Sequence, residues 1–206
     1  MFVPNRLLIN IFRGLFVLLL ALNIFNGAIS ENPRFSSVSS WGDFWYGLFL
    51  TATISWLILE GLNWYFRKTK IGHLPSYFWA VAVGLNGADF FNSYSKLFEV
   101  SHFDKLAHAA GGFFFGILIL NLVKRFNVSY GLNLNKTLIY YLTVTSVNLG
   151  GIIYEIGEWV GDKYFGSNNI TGIFDTTGDL IFNNIGLFLV LIIDWVYHRI
   201  EKSRRI

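Results

Sequence analysis

Three short polar stretches interrupt an otherwise apolar chain and carry groups able to do chemistry. They are Asp104-Lys105-Leu106-Ala107-His108, then Glu155-Ile156-Gly157-Glu158 running on to Asp162-Lys163, and Asp175-Thr176-Thr177-Gly178-Asp179 running on to Asn183. Carboxylates brought together repel, and the two remedies are to protonate some of them or to bind a cation. A cation answers both charge and geometry. The candidate metal ligands are therefore Asp104, His108, Glu155, Glu158, Asp175 and Asp179. Oxygen donors with one imidazole suit Mg, Mn or Ca, or Zn or Fe when the imidazole ligates, and the residue types do not choose among these divalent metals. In a metal-assisted reaction Asp104, His108, Glu155 and Glu158 are the candidate catalytic groups, as ligands or general base. Lys105, Asp162, Lys163 and Asn183 are candidate substrate-binding residues, the lysines for a phosphate. No other cofactor is indicated.

Helical spacing decides which of these can share a face. Asp104 and His108 are four apart, Glu155, Glu158 and Asp162 stand at i, i+3 and i+7, and Asp175, Asp179 and Asn183 are each four apart, so each set forms one stripe if its segment is helical. Gly111, Gly112, Gly151 and Gly186 continue the stripes without side chains to hold a neighbouring helix away. Simpler accounts exist for some members. Asp162 and Asp175 fit solvated helix ends, Asp175-Thr176-Thr177 fits a helix cap, and a hydrogen bond to Asp104 would account for His108. Glu155 and Glu158 resist such a reading, because they lie among Ile152, Ile153, Tyr154, Ile156, Trp159 and Val160, where an ionised group is costly.

The elements that must position these groups are membrane helices. The chain has 206 residues, 53% hydrophobic and 14% charged, with a mean hydropathy of +0.47, whereas soluble domains are about 45–50% apolar and 25% charged. Too little polar surface remains to cover a soluble core. The absence of cysteine excludes disulfides, thiolate metal sites and thiol nucleophiles. A net charge of +3 does not point to nucleic acid, since the basic residues fall in short clusters between apolar runs.

The hydropathy pattern predicts an all-α, polytopic transmembrane bundle of about six helices forming a single membrane domain over residues 1–206. The spans are expected near Leu7 to Ile29, Phe44 to Phe66, Pro75 to Phe91, Phe103 to Val123, Thr137 to Val160 and Leu180 to His198. Residues 1–30 also fit a signal peptide, with Arg6 and Arg13 before an apolar run and Ala28-Ile29-Ser30 at its end. Arg6, Arg13, Arg67, Lys68, Lys70, Lys124, Arg125, Lys136, Arg199, Lys202, Arg204 and Arg205 then share one side, against Arg34, Lys96, Lys105 and Lys163 on the other. The positive-inside rule makes both termini cytoplasmic. Of the 13 acidic residues only Glu60, Asp194 and Glu201 fall in the cytoplasmic half, and Glu60 and Asp194 are expected to pair with Arg67 or Arg199. Alternation of direction brings the polar ends of helices four, five and six to one outer level, with Asp89, Asn86 and His102 at the rim. Trp41, Trp45, Trp64 and Trp195 are expected as interfacial anchors.

The ordered motifs Asp104-Lys105-Leu106-Ala107-His108 with Gly111-Gly112, Glu155-x-x-Glu158-x-x-x-Asp162 with Phe165-Gly166-Ser167-Asn168, and Asp175-Thr176-x-x-Asp179-x-x-x-Asn183-x-x-Gly186 resemble the VanZ-like small bacterial membrane proteins, most of all their YjdF-type relatives, over residues 102 to 190. The resemblance implies a multi-pass protein of the bacterial inner (plasma) membrane concerned with the cell envelope, and it supplies no reaction. The chain lacks the Gln and Arg that often follow the middle Glu of VanZ proper. The reading that follows is an outward-facing Asp/Glu/His site that binds a cation and acts on membrane lipids or a lipid-linked envelope component, as a metal-dependent hydrolase or transferase. A proton- or ion-coupled transporter and a non-catalytic envelope factor remain as alternatives. Apolar runs from Phe113 to Leu122 and Leu187 to Ile193 weigh against a through-going path.

Overall fold

A chain in lipid has to satisfy every backbone N–H and C=O internally, so the long apolar runs become helices. The computed structural model describes residues 6–30, 42–69, 72–95, 103–165 and 172–203. They form α1 (Arg6–Ser30), α2 (Gly42–Arg67), α3 (Ser76–Ser95), α4 (Phe103–Tyr130), α5 (Lys136–Phe165) and α6 (Ile173–Ser203). No strand occurs among the described residues. Among the described residues four helices, α1, α4, α5 and α6, are long and apolar enough to cross a membrane, where six crossings are expected from hydropathy. The sixth helix begins at Ile173 rather than Leu180, about two turns earlier. Asp175, Thr176 and Thr177 therefore lie inside its first turns and do not cap it. The Gly172 carbonyl receives the N–H groups of Asp175 at 3.0 Å and Thr176 at 3.4 Å instead.

The chain divides into two compact units, Met1–Glu99 with Gly161–Ser167, and Val100–Val160 with Asn168–Ile206. In the first, α1 packs on α2 and α3. Arg13 grips Glu60 with two bonds, Nε to Oε1 at 2.6 Å and Nη2 to Oε2 at 2.7 Å, while Trp56 Nε1 donates to the same carboxylate at 3.3 Å. The guanidinium also lies 5.1 Å from the ring centroid of Trp79. Glu60 thus pairs with Arg13 and not with Arg67, because α1 and α2 are direct neighbours and a planar bidentate fork outcompetes a looser contact. Trp45 is another correction. It is only 6% exposed and packs 5.5 Å from Phe90, as a core residue rather than an interfacial anchor. Trp64 is exposed, with the Lys68 ammonium over its ring. Trp41, His102 and the Asp89 side chain lie outside the described residues.

In the second unit a tight turn fixes direction. Gly131, at φ 62°, ends α4 in the left-handed conformation that glycine tolerates. The Leu132 N–H reaches back to the Asn127 carbonyl at 3.0 Å, and the Asn127 side chain accepts the Leu134 N–H at 2.8 Å. Asn135 Oδ1 then caps α5 by accepting the Leu138 N–H at 2.9 Å. The result is a helical hairpin in which α5 runs antiparallel to α4, and α6 returns parallel to α4.

Lipid tails are as apolar as leucine, so these helices associate through close backbone packing and polar contacts. Gly112 lies against the Asn183 backbone and Gly186 against Ala109 and Phe113, so tightly that a Cβ at either would overlap backbone atoms. Gly116 meets Leu187 and Val190. Below this crossing Leu120, Ile139, Val147, Leu187, Val190 and Leu191 form the buried core. At the far end Asp194 pairs with Lys124 and accepts the Tyr140 hydroxyl at 2.8 Å, rather than pairing with Arg199. The side chains of α4 reach Asp194 because α4 and α6 run parallel in register.

Candidate metal centre

The polar residues of the second unit gather at the end where α4 and α6 begin and α5 finishes. Asp104 occupies the first turn of α4, where a carboxylate also favours the positive end of the helix dipole. One turn on, His108 Nε2 stands 3.5 Å from both Asp104 Oδ1 and Asp179 Oδ1. The ring is held from two other sides. Tyr154 of α5 meets it edge-on at 5.8 Å between centroids, and Asn183 Nδ2 lies 3.4 Å from Nδ1. Asn183 is itself seated where Gly111, Gly112 and Gly151 leave room.

Asp104, His108 and Asp179 each offer one ligand atom, and these atoms all lie within 4.8 Å of one another. That spacing lets one ion at ordinary coordination distances touch all three. Burial is graded across the group, from Asp179, whose side chain is 4% exposed, to Asp104 at 39%. The cluster is therefore sealed on the α6 side and open on the Asp104 side.

Lys105 already lies in this group. Its ammonium donates to Asp179 Oδ1 at 2.6 Å and Asp175 Oδ1 at 2.7 Å, with the Asp175 carbonyl and Asp104 Oδ2 both at 3.3 Å. The side chain crosses from α4 to α6 over Gly178, whose missing side chain leaves the path open. Glu155 is the opposite case. It is 5% exposed, and neither carboxylate oxygen has a hydrogen-bond partner among the described residues. The Thr176 side chain stands beside it outside hydrogen-bond geometry, and Asp179, His108 and Asp104 lie within electrostatic reach. A buried carboxylate left unsatisfied is rare and costly, and it points to a group that a ligand or proton completes.

The remaining residues singled out from the sequence fall as follows. Glu158 is half-buried, one turn beyond Glu155 and within electrostatic reach of Glu155, Asp104 and Asp179. Asp162 and Lys163 stand near the end of α5, in the segment grouped with α1 to α3, and the Lys163 ammonium lies over the ring of Tyr164. Asn86 donates to the Ala82 carbonyl within α3. Sequence spacing did not reveal the contacts of Lys105 with Asp175 and Asp179. The available signal was that Lys105 is a basic residue standing among acidic ones. Deeper in the unit, Asn148 and Asn184 exchange two amide bonds of 3.1 and 2.8 Å across α5 and α6.

Set against known proteins, residues 11–200 match the model of a family described as predicted membrane protein (DUF2238). No curated protein matches, and no solved structure matches.

Proposed function

We propose, for a chain that belongs to the DUF2238 family of membrane proteins, that the polar end of α4 to α6 binds a divalent cation and acts on a lipid-linked component of the cell envelope. The observation that carries this reading is the convergence of Asp104, His108 and Asp179 within 4.8 Å beside the buried Glu155, whose carboxylate has no hydrogen-bond partner among the described residues. Asp104, His108 and Asp179 hold the ion, and Glu155 supplies a fourth oxygen or the general base. Asn183 tunes the histidine. Its Nδ2 stands 3.4 Å from Nδ1, and because ligation through Nε2 puts the ring proton on Nδ1, ion binding goes with a turn of the Asn183 amide that offers its oxygen to that nitrogen. The ion polarises a phosphoester or amide bond and Lys105 meets the anionic headgroup, which makes the reaction a metal-assisted hydrolysis or transfer.

Charge asymmetry supports an outward-facing site with both termini in the cytoplasm of a bacterial inner membrane, and the ordered motifs support kinship with the VanZ-like and YjdF-type proteins. The test is equilibrium dialysis of the purified chain against Mn²⁺ and Zn²⁺, paired with an envelope-stress assay in cells. H108A should lose bound metal and the cellular phenotype together, and E155A should lose the phenotype with or without the metal. Retention of both in either variant would remove the reading.

The Asn148–Asn184 pair favours a second reading, ion-coupled transport, because it extends polar groups beyond the cluster. Leu187, Val190, Leu191 and Leu120 close the packing below it. Uptake into reconstituted vesicles that disappears in E158Q would put transport first.

A further inference from the structure

We infer that Lys105 is a resident counter-cation of the metal centre, and that a divalent ion binds by displacing its ammonium from Asp179 onto Asp175. This deepens the cation-binding reading and rests on it. The competition is for a single atom. Asp179 Oδ1 receives the Lys105 ammonium at 2.6 Å and also stands 3.5 Å from His108 Nε2, so the oxygen best placed to share an ion with the histidine is the one the lysine holds. An ammonium and a divalent cation at one oxygen repel strongly in a medium of low dielectric, and the two cannot both remain there.

The structure provides the ammonium with a second seat. Asp175 Oδ1 lies 2.7 Å away and the Asp175 carbonyl 3.3 Å. A lysine has a flexible four-carbon stem and three rotatable donors, so it can let go of one carboxylate while keeping another. Gly178 is what leaves that stem its freedom. A Cβ there would stand 3.2 Å from Lys105 Cε and 3.4 Å from Nζ, tight enough to restrict the swing. Glu155 makes the cluster more than a set of paired acids. The lysine does not satisfy it, and its two buried oxygens have no partner among the described residues, so an arriving ion has a ligand that the ammonium does not use.

The experiment is a calorimetric Mn²⁺ and Zn²⁺ titration of the purified full chain in detergent, comparing wild type, K105M, K105R, D179N and the double variant K105M/D175N. Removing the competing charge should tighten binding by about tenfold or more in K105M, while K105R, which keeps the charge, should bind no more tightly than wild type. If K105M fails to fold because its carboxylates lose their counter-ion, K105M/D175N restores the balance and should still bind more tightly. Wild-type or weaker affinity in the folded lysine-free variants, with binding still abolished in D179N, would overturn the displacement and leave the cation site standing. Absence of metal binding in every variant would overturn both.

Discussion

The second unit holds charged groups at both ends, and the two ends are built on opposite principles. At one, Lys124, Asp194 and Tyr140 form a closed set in which one cation meets one carboxylate and a hydroxyl takes the remaining oxygen. At the other, Lys105 is the basic residue facing Asp104, Asp175 and Asp179, and Glu155 is buried beside them with no hydrogen-bond partner among the described residues. Both ends link α4 to α6. Only the second leaves anionic capacity unused. In a membrane protein, then, the presence of intramembrane charge is a weaker guide to function than its imbalance: a balanced set fastens helices, and an unbalanced one invites a ligand.

The comparison can be broken most forcefully at the unbalanced end. D179N or H108A should lower divalent-cation affinity by about 100-fold or more, because the proposed site uses each side chain as a ligand rather than as a supporting contact. Equal affinity in dialysis would erase the distinction between the ends. The next effect concerns the crossing that holds the cluster together. G186L forces a side chain onto the Ala109 and Phe113 backbone and should destabilise the fold by about 3 kcal/mol, read as a fall in the thermal unfolding midpoint in detergent. The balanced end should behave as a fastener alone. D194N strands the Lys124 ammonium and should cost about 2 kcal/mol of stability, with cation affinity unchanged. The smallest effect is expected at the Arg13–Glu60 pair of the first unit. With both side chains 34% exposed, E60Q should cost about 1 kcal/mol and leave cation binding untouched.

Much of this could be read from the sequence, for identifiable reasons. Hydropathy alone located the helices, because the bilayer sets their length. The polar stripes of α4, α5 and α6 share an end because spacing and alternating direction leave no other arrangement for short connections. Helical rotation was not legible. Glu155 and Glu158 are three residues apart on one helix, and only packing against α4 and α6 decides that the first is buried and the second half-exposed. Long side chains were misjudged for the same reason. Lys105 is expected from the sequence to meet a phosphate, yet its four-carbon stem spans to Asp175 and Asp179 on another helix, and Asp194 and Glu60 find partners on other helices rather than nearby in sequence. One signal was available and unread: Gly112 and Gly116 are four apart, the small-residue spacing that lets membrane helices touch, and the structure uses both against α6. Trp45 shows the limit of composition, since an aromatic near a helix end serves as an anchor or as core according to what stands opposite.

The most direct test of the contrast is elemental analysis of three purified proteins, wild type, D179N and D194N, prepared identically. Wild type and D194N should each carry roughly one equivalent of divalent metal per chain, and D179N none. Metal in D179N at the wild-type level, or its loss in D194N as well, would mean that the Asp104–His108–Asp179 end is not where the ion binds.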